Sequence, residues 1–169
     1  MTMVKILAGL AALLGGALLS AEQAAPMAAP KVPTSAEALA AWNDFRVDPL
    51  ARLARTQPFL DFIRDSGEVH IVLNNELLAW MYQPMDDALK ATLYAAFLGG
   101  NMAAQLSRQH SDDSDDVAGM ESALEAYAAV RKAHPDFTLV LFETLAKARA
   151  EQGLAAAVKA VESRTKPAP

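Results

Sequence analysis

Apolar positions along this chain recur mostly every three or four residues, the period of helices that bury one side. Thr34 stands three residues before Glu37 in capping-box spacing, and Ala38, Leu39, Trp42 and Phe45 follow on one stripe, so a first helix is predicted over 35–46. Asp48-Pro49 restarts a helix, with Asp as N-cap and Pro at the first position, and Leu50, Leu53 and Ala54 form its apolar side. Gln57-Pro58 repeats the device for a third short helix lined by Phe59, Phe62 and Ile63, which ends at Gly67. Pro84-Met85-Asp86-Asp87 opens the longest helix, whose acids sit where the helix dipole favours them. Met85, Leu89, Leu93 and Phe97 form its core stripe, and it runs on through Leu106.

Gly99-Gly100 interrupts that stripe, although each Gly costs about 1 kcal/mol against Ala in a helix interior. Either the helix breaks there, or a neighbour packs so closely that a Cβ would clash. Further on, Met120, Leu124, Tyr127 and Val130 mark a helix that ends near His134-Pro135. Leu139, Val140, Phe142 and Leu145 mark another over 137–149, and Gly153 divides it from a last Ala-rich helix over 154–163. Residues 68–73 (Glu-Val-His-Ile-Val-Leu) are strand-like in composition but have no partner strand, and a lone strand leaves its backbone unsatisfied. They are therefore read as the start of a buried helix continuing through Met81. The fold class is all-α: a compact bundle of about six to eight short to medium helices, with a helical-hairpin C-terminal half.

Ala123, Tyr127, Val130 and Pro135 stand at spacings that resemble the second helix of a tetratricopeptide repeat, and Gly153 loosely suits the turn of a following unit. Such units are stable only when stacked. One period upstream, Leu89, Leu93, Ala96 and Asn101 lack the small and Pro positions, so the resemblance stops at a single hairpin and assigns no family.

Composition narrows the chemistry. The chain has 169 residues and an apolar fraction of 53%, of which 36 residues are Ala, so burial per residue is modest. With no Cys, thiol catalysis, iron–sulfur ligation and disulfide frameworks are excluded. A net charge of −5 argues against nucleic acid, because phosphate neutralisation needs a basic face.

The first 21 residues read as a secretory signal peptide. Lys5 supplies the positive start, the apolar run from Ile6 to Leu19 is 14 residues long, and Ser20 and Ala21 give a small-residue cleavage site near Ala21. A membrane-spanning helix needs about 20 residues, so the competing reading, an uncleaved anchor, is the weaker one, and no transmembrane segment is expected in the mature chain. Residues 22–33 form an Ala/Pro-rich flexible leader, 34–164 a single all-α domain, and 165–169 a disordered tail. Export without Cys points to a periplasmic location, or a secreted one.

Candidate chemistry is sparse. The acidic stretch with His110, Asp112, Asp113, Asp115 and Asp116 offers hard-cation ligands, but its spacing fails the calcium-loop pattern, and Asp residues there also suit a helix N-terminus. His70 and Glu76 would serve general acid/base work only if the fold brought them within hydrogen-bond reach. No nucleophile elbow or phosphate loop is present, so no catalytic residue is assigned and no cofactor is expected. Trp80, Met81 and Tyr82 place large apolar groups all round one helix, which is then either buried or covered by a partner. These features describe an exported, non-enzymatic protein- or peptide-binding module. Its partner would be another periplasmic or envelope protein, and an acidic surface would favour a basic one. The alternative is a metal or small-ligand binder using residues 110–116.

Overall fold

A computed structural model describes residues 31–108 and 114–163. The expected signal peptide, most of the expected leader, the expected tail, and His110, Asp112 and Asp113 lie outside these residues. Among the described residues the chain forms six α-helices and no strand: α1 (Ser35–Val47), α2 (Gln57–Asp65), α3 (Asp87–Ser107), α4 (Asp116–Ala133), α5 (Val140–Gln152) and α6 (Leu154–Glu162). Two short 3₁₀ turns, Leu53–Arg55 and Ala79–Tyr82, complete the described elements. The all-α bundle expected from the periodicity is what forms.

Local sequence explains most of the boundaries. Thr34 caps α1 in a reciprocal box: the Glu37 N–H donates to Thr34 Oγ1 (3.3 Å), and the Thr34 N–H donates to the Glu37 carboxylate (2.8 Å). The Thr34 N–H and then the Thr34 hydroxyl, both donating to the carboxylate, together with the nearby Lys31 charge hold the Glu37 carboxyl below its ordinary range. Asp86 accepts from the N–H groups of Ala88 and Leu89 at the start of α3, and Asp115 accepts from Ala118 at the start of α4. Gly67 and Gly153 adopt positive φ after α2 and between α5 and α6, where other residues would be strained.

The helix expected after Asp48-Pro49 does not form as read. Asp48 instead ends α1, its carboxylate accepts from the Ala51 N–H (3.2 Å), and Pro49 is buried, so a turn and one 3₁₀ turn occupy the stretch. Asp is as good a turn residue as a helix cap, and here the turn wins.

The core has two aromatic foci. Trp42, Phe45 and Phe59 join α1 to α2 with ring centroids 5.8–5.9 Å apart, and Trp80 meets Phe142 edge-on at 5.4 Å. Tyr127 ties α4 to the start of α5: its hydroxyl donates to Glu143 (2.7 Å) and accepts from the Leu139 N–H (3.1 Å). Burial, and then the Glu143 carboxylate, push that phenol above its ordinary range.

Helix α3 runs unbroken through Gly99 and Gly100, both buried against neighbours. A Cβ on Gly100 would lie 2.5 Å from Ser122 Cβ and 2.7 Å from the Ala118 carbonyl oxygen of α4, while one on Gly99 would strike the Trp42 ring. On the facing helix, a Cβ on Gly119 would meet the Phe97 ring at 2.8 Å. The glycines are thus a seam for close backbone approach, the second of the two readings their positions allowed.

Candidate functional site

The stretch between α2 and α3 departs furthest from expectation. Residues 68–73 are neither a strand nor the start of a buried helix: 69–74 run without turn or bend. The reason is a side chain on α3. Gln105, 2% exposed, accepts from the His70 N–H at 2.9 Å and donates to the His70 carbonyl at 2.9 Å. A carboxamide reaches both groups of one residue when that residue is extended, as paired residues do in an antiparallel ladder. Gln105 therefore stands in for a partner strand at one point. Its amide also donates to Asn101 Oδ1 (2.6 Å), which accepts in turn from the Asp115 N–H (3.0 Å).

Asn101 and Gln105 are among the few buried polar side chains, and sequence reasoning missed their role. The available signal was two carboxamides four residues apart on a helix otherwise apolar on that side. Buried amides of this kind need partners, and a chain segment nearby has to supply them.

With the His70 backbone facing α3, the pleat of an extended chain turns the N–H and C=O of Val69 and Ile71 the other way. Among the described residues, no hydrogen bond reaches the backbone of Val69, Ile71, Val72 or Leu73. Side-chain burial alternates in step: Val69 and Ile71 pack partly against the core, whereas His70 and Val72 are exposed. Val72 and Leu73 leave 54% and 48% of their surface open. Asn74 ends the run, its Oδ1 accepting from the N–H groups of Glu76 (2.9 Å) and Leu77 (3.3 Å).

The expected trio then divides. Trp80 is a core residue packed on Phe142, its buried Nε1 having no hydrogen-bond partner among the described residues; Met81 is half-buried; Tyr82 is 81% exposed. Trp80 cannot line a surface groove, which leaves Tyr82 as the apolar side chain displayed there. His70 and Glu76 share no hydrogen bond among the described residues.

The same stretch also carries acids without cations, as do Asp48, Asp116 and Asp136 elsewhere among the described residues. Arg64 pairs with Asp61 and Asp65, whose shared guanidinium holds the Asp65 carboxyl low, and most other acids also have a cation. Glu68, Glu76, Asp86 and Asp87 pair with no cation among the described residues. Lys90 is the one Lys or Arg from residue 68 to residue 90.

Of the acidic stretch, Asp115 caps α4 and forms an ion pair with Arg108. Asp116 accepts from Ser114 Oγ (2.8 Å) and Asn101 Nδ2 (3.4 Å). Burial, and then the negative Asp116, raise the Glu162 carboxyl above its ordinary value. Among the described residues no three metal-ligating side chains converge. A cleft of about 110 Å³ between α1, α3 and α4, lined by Trp42, Phe45, Arg46 and Glu125, is well below the roughly 300–1,000 Å³ of sites that enclose a drug-sized ligand.

No described helix is long and apolar enough to cross a membrane. Compared with protein families, curated proteins and solved structures, the chain matches none.

Proposed function

We propose that this chain is an exported, non-enzymatic module that binds another protein or peptide in the periplasm, through the extended stretch after α2. One observation carries the reading: residues 69–73 run outside any helix or turn, four of them have no backbone hydrogen-bond partner among the described residues, and Val72 and Leu73 are displayed. Protein surfaces seldom leave such an edge bare, because it invites pairing. The short charged start, apolar run and small residues before position 22 support export.

Photo-crosslinking in intact Gram-negative cells expressing the full chain tests both parts. A benzophenone side chain at Val72 or Tyr82 is expected to give a discrete adduct, and one at exposed Thr144 on α5 none. The mass of the recovered chain should lack its first 21 residues. Adducts at Thr144 but not Val72 would refute the binding face, and an unprocessed cytoplasmic chain would refute export.

A further inference from the structure

We propose that the 69–73 edge takes an added β-strand from its partner, and that this strand is basic, with Lys or Arg alternating with β-branched apolar residues. The proposal rests on the binding face argued above and names its occupant. Three features of the edge converge on it.

The first is the backbone. Gln105 fixes His70 in extended geometry from one side and saturates its N–H and C=O. The next groups along the pleat, on Val69 and Ile71, point to the opposite side and have no partner among the described residues. An incoming extended segment would complete the ladder there, the main-chain mode of recognition in which hydrogen bonds supply affinity and alternate side chains supply specificity. Gln105 is itself buried and held by Asn101, so the edge is presented on a rigid support.

The second is the side-chain pattern. Val72 is β-branched and exposed, as suits cross-strand contact with another β-branched residue. Leu73, the last residue before the Asn74 turn, is also exposed.

The third is charge. Glu68 and Glu76 bracket the edge without cations, and Asp86 and Asp87 add to the same sign a little further along the chain. Each bracketing acid is four residues from Val72, so it lies within about 14 Å of it. A basic strand is steered toward such a site and held there. A second copy of this chain is disfavoured by the same charges: it would bring another Glu68 and Glu76 to an edge already bracketed by two carboxylates without cations.

The test uses the full mature chain and fluorescent synthetic peptides read by anisotropy. The probes are a short peptide alternating lysine with valine, its glutamate counterpart, and the lysine peptide N-methylated on alternate amides. The lysine peptide is expected to bind, with the glutamate and N-methylated forms weaker by about tenfold or more, and V72K is expected to weaken it about tenfold without moving the melting temperature. Amide exchange at Ile71 should slow on binding. Equal binding of the glutamate peptide would overturn the charge assignment, and equal binding of the N-methylated peptide would overturn strand addition. Ile71 protection that appears with rising protein concentration and no peptide would make the occupant a second copy and overturn a basic partner. Failure of every peptide, with crosslinks still formed at Val72, would overturn the basic strand while leaving the binding face in place.

Discussion

Gly100→Ala sets two effects of opposite sign against each other at one atom. Alanine is the better helix former by about 1 kcal/mol in a helix interior, and α3 is helical on both sides of the site. Packing opposes it. The new methyl would lie 2.5 Å from Ser122 Cβ and 2.7 Å from the Ala118 carbonyl oxygen, where ordinary contact begins at 3.4 Å. Neither is the end of a flexible side chain, so α3 and α4 must part by most of an ångström along a seam that also holds Gly119 against Phe97. Overpacking of this kind costs about 1–3 kcal/mol, and backbone-to-backbone overlap puts it at the upper end. The net loss expected is about 2 kcal/mol, or roughly 5–10 °C in melting temperature for a domain of this size. Urea unfolding followed by tryptophan fluorescence and far-UV circular dichroism measures it, with Gly→Ala at Gly100 and Ala→Gly at Ala104 compared on the same helix. Ala104→Gly reports propensity at a half-buried site and should cost about 1 kcal/mol. A Gly100→Ala chain as stable as the parent, at unchanged m-value, would refute the close seam.

Other expectations concern the polar contacts. Gln105→Ala removes two bonds to His70 and one to Asn101, and should cost about 2–4 kcal/mol, with faster amide exchange at His70; an unchanged His70 exchange rate would show that the extended stretch is held otherwise. The Glu162 carboxyl is raised by burial and by Asp116. Its contribution to stability is therefore full at acid pH and is lost as pH rises through its folded value. Glu162→Gln should melt higher than the parent at neutral pH, and the gap should close on acidification; a gap that widens toward acid would reverse the assignment. No three metal-ligating side chains converge among the described residues, so calcium and EDTA should leave the melting temperature where it is, whereas bound metal at a hundredfold excess over its dissociation constant would add about 2.7 kcal/mol. A rise of that size with calcium would restore residues 110–116 as a cation site.

Helices whose ends are set by neighbours in the chain were legible. Thr34 with Glu37 marks where α1 starts, and the Val130–His134 stretch shows where α4 stops, because both signals lie within one turn of the boundary. Asp48-Pro49 was ambiguous for the same local reason, since one carboxylate serves either a cap or a turn. The extended run at 69–74 was not legible from its own residues. What holds it is an amide 35 residues away, and a periodicity argument contains no term for that. Trp80 and Tyr82, two residues apart, go to core and solvent, since residues two apart lie on opposite faces of any helical turn, here a 3₁₀ turn. Of the candidate face, only Tyr82 was read in advance as a binding residue, whereas 69–73 were expected inside a buried helix.

The glycine seam also bears on how the chain reaches this fold. Its two faces belong to consecutive helices, so closing it spans a short loop, whereas the Gln105–His70 clasp must wait for a contact 35 residues apart. Short closures are entropically cheap and form early. In a stopped-flow chevron the Gly100→Ala loss should fall mainly on the refolding limb, and the Gln105→Ala loss on the unfolding limb. The hairpin of α3 and α4 would then be the nucleus, and the exposed edge would be the last part of the described chain to take its place.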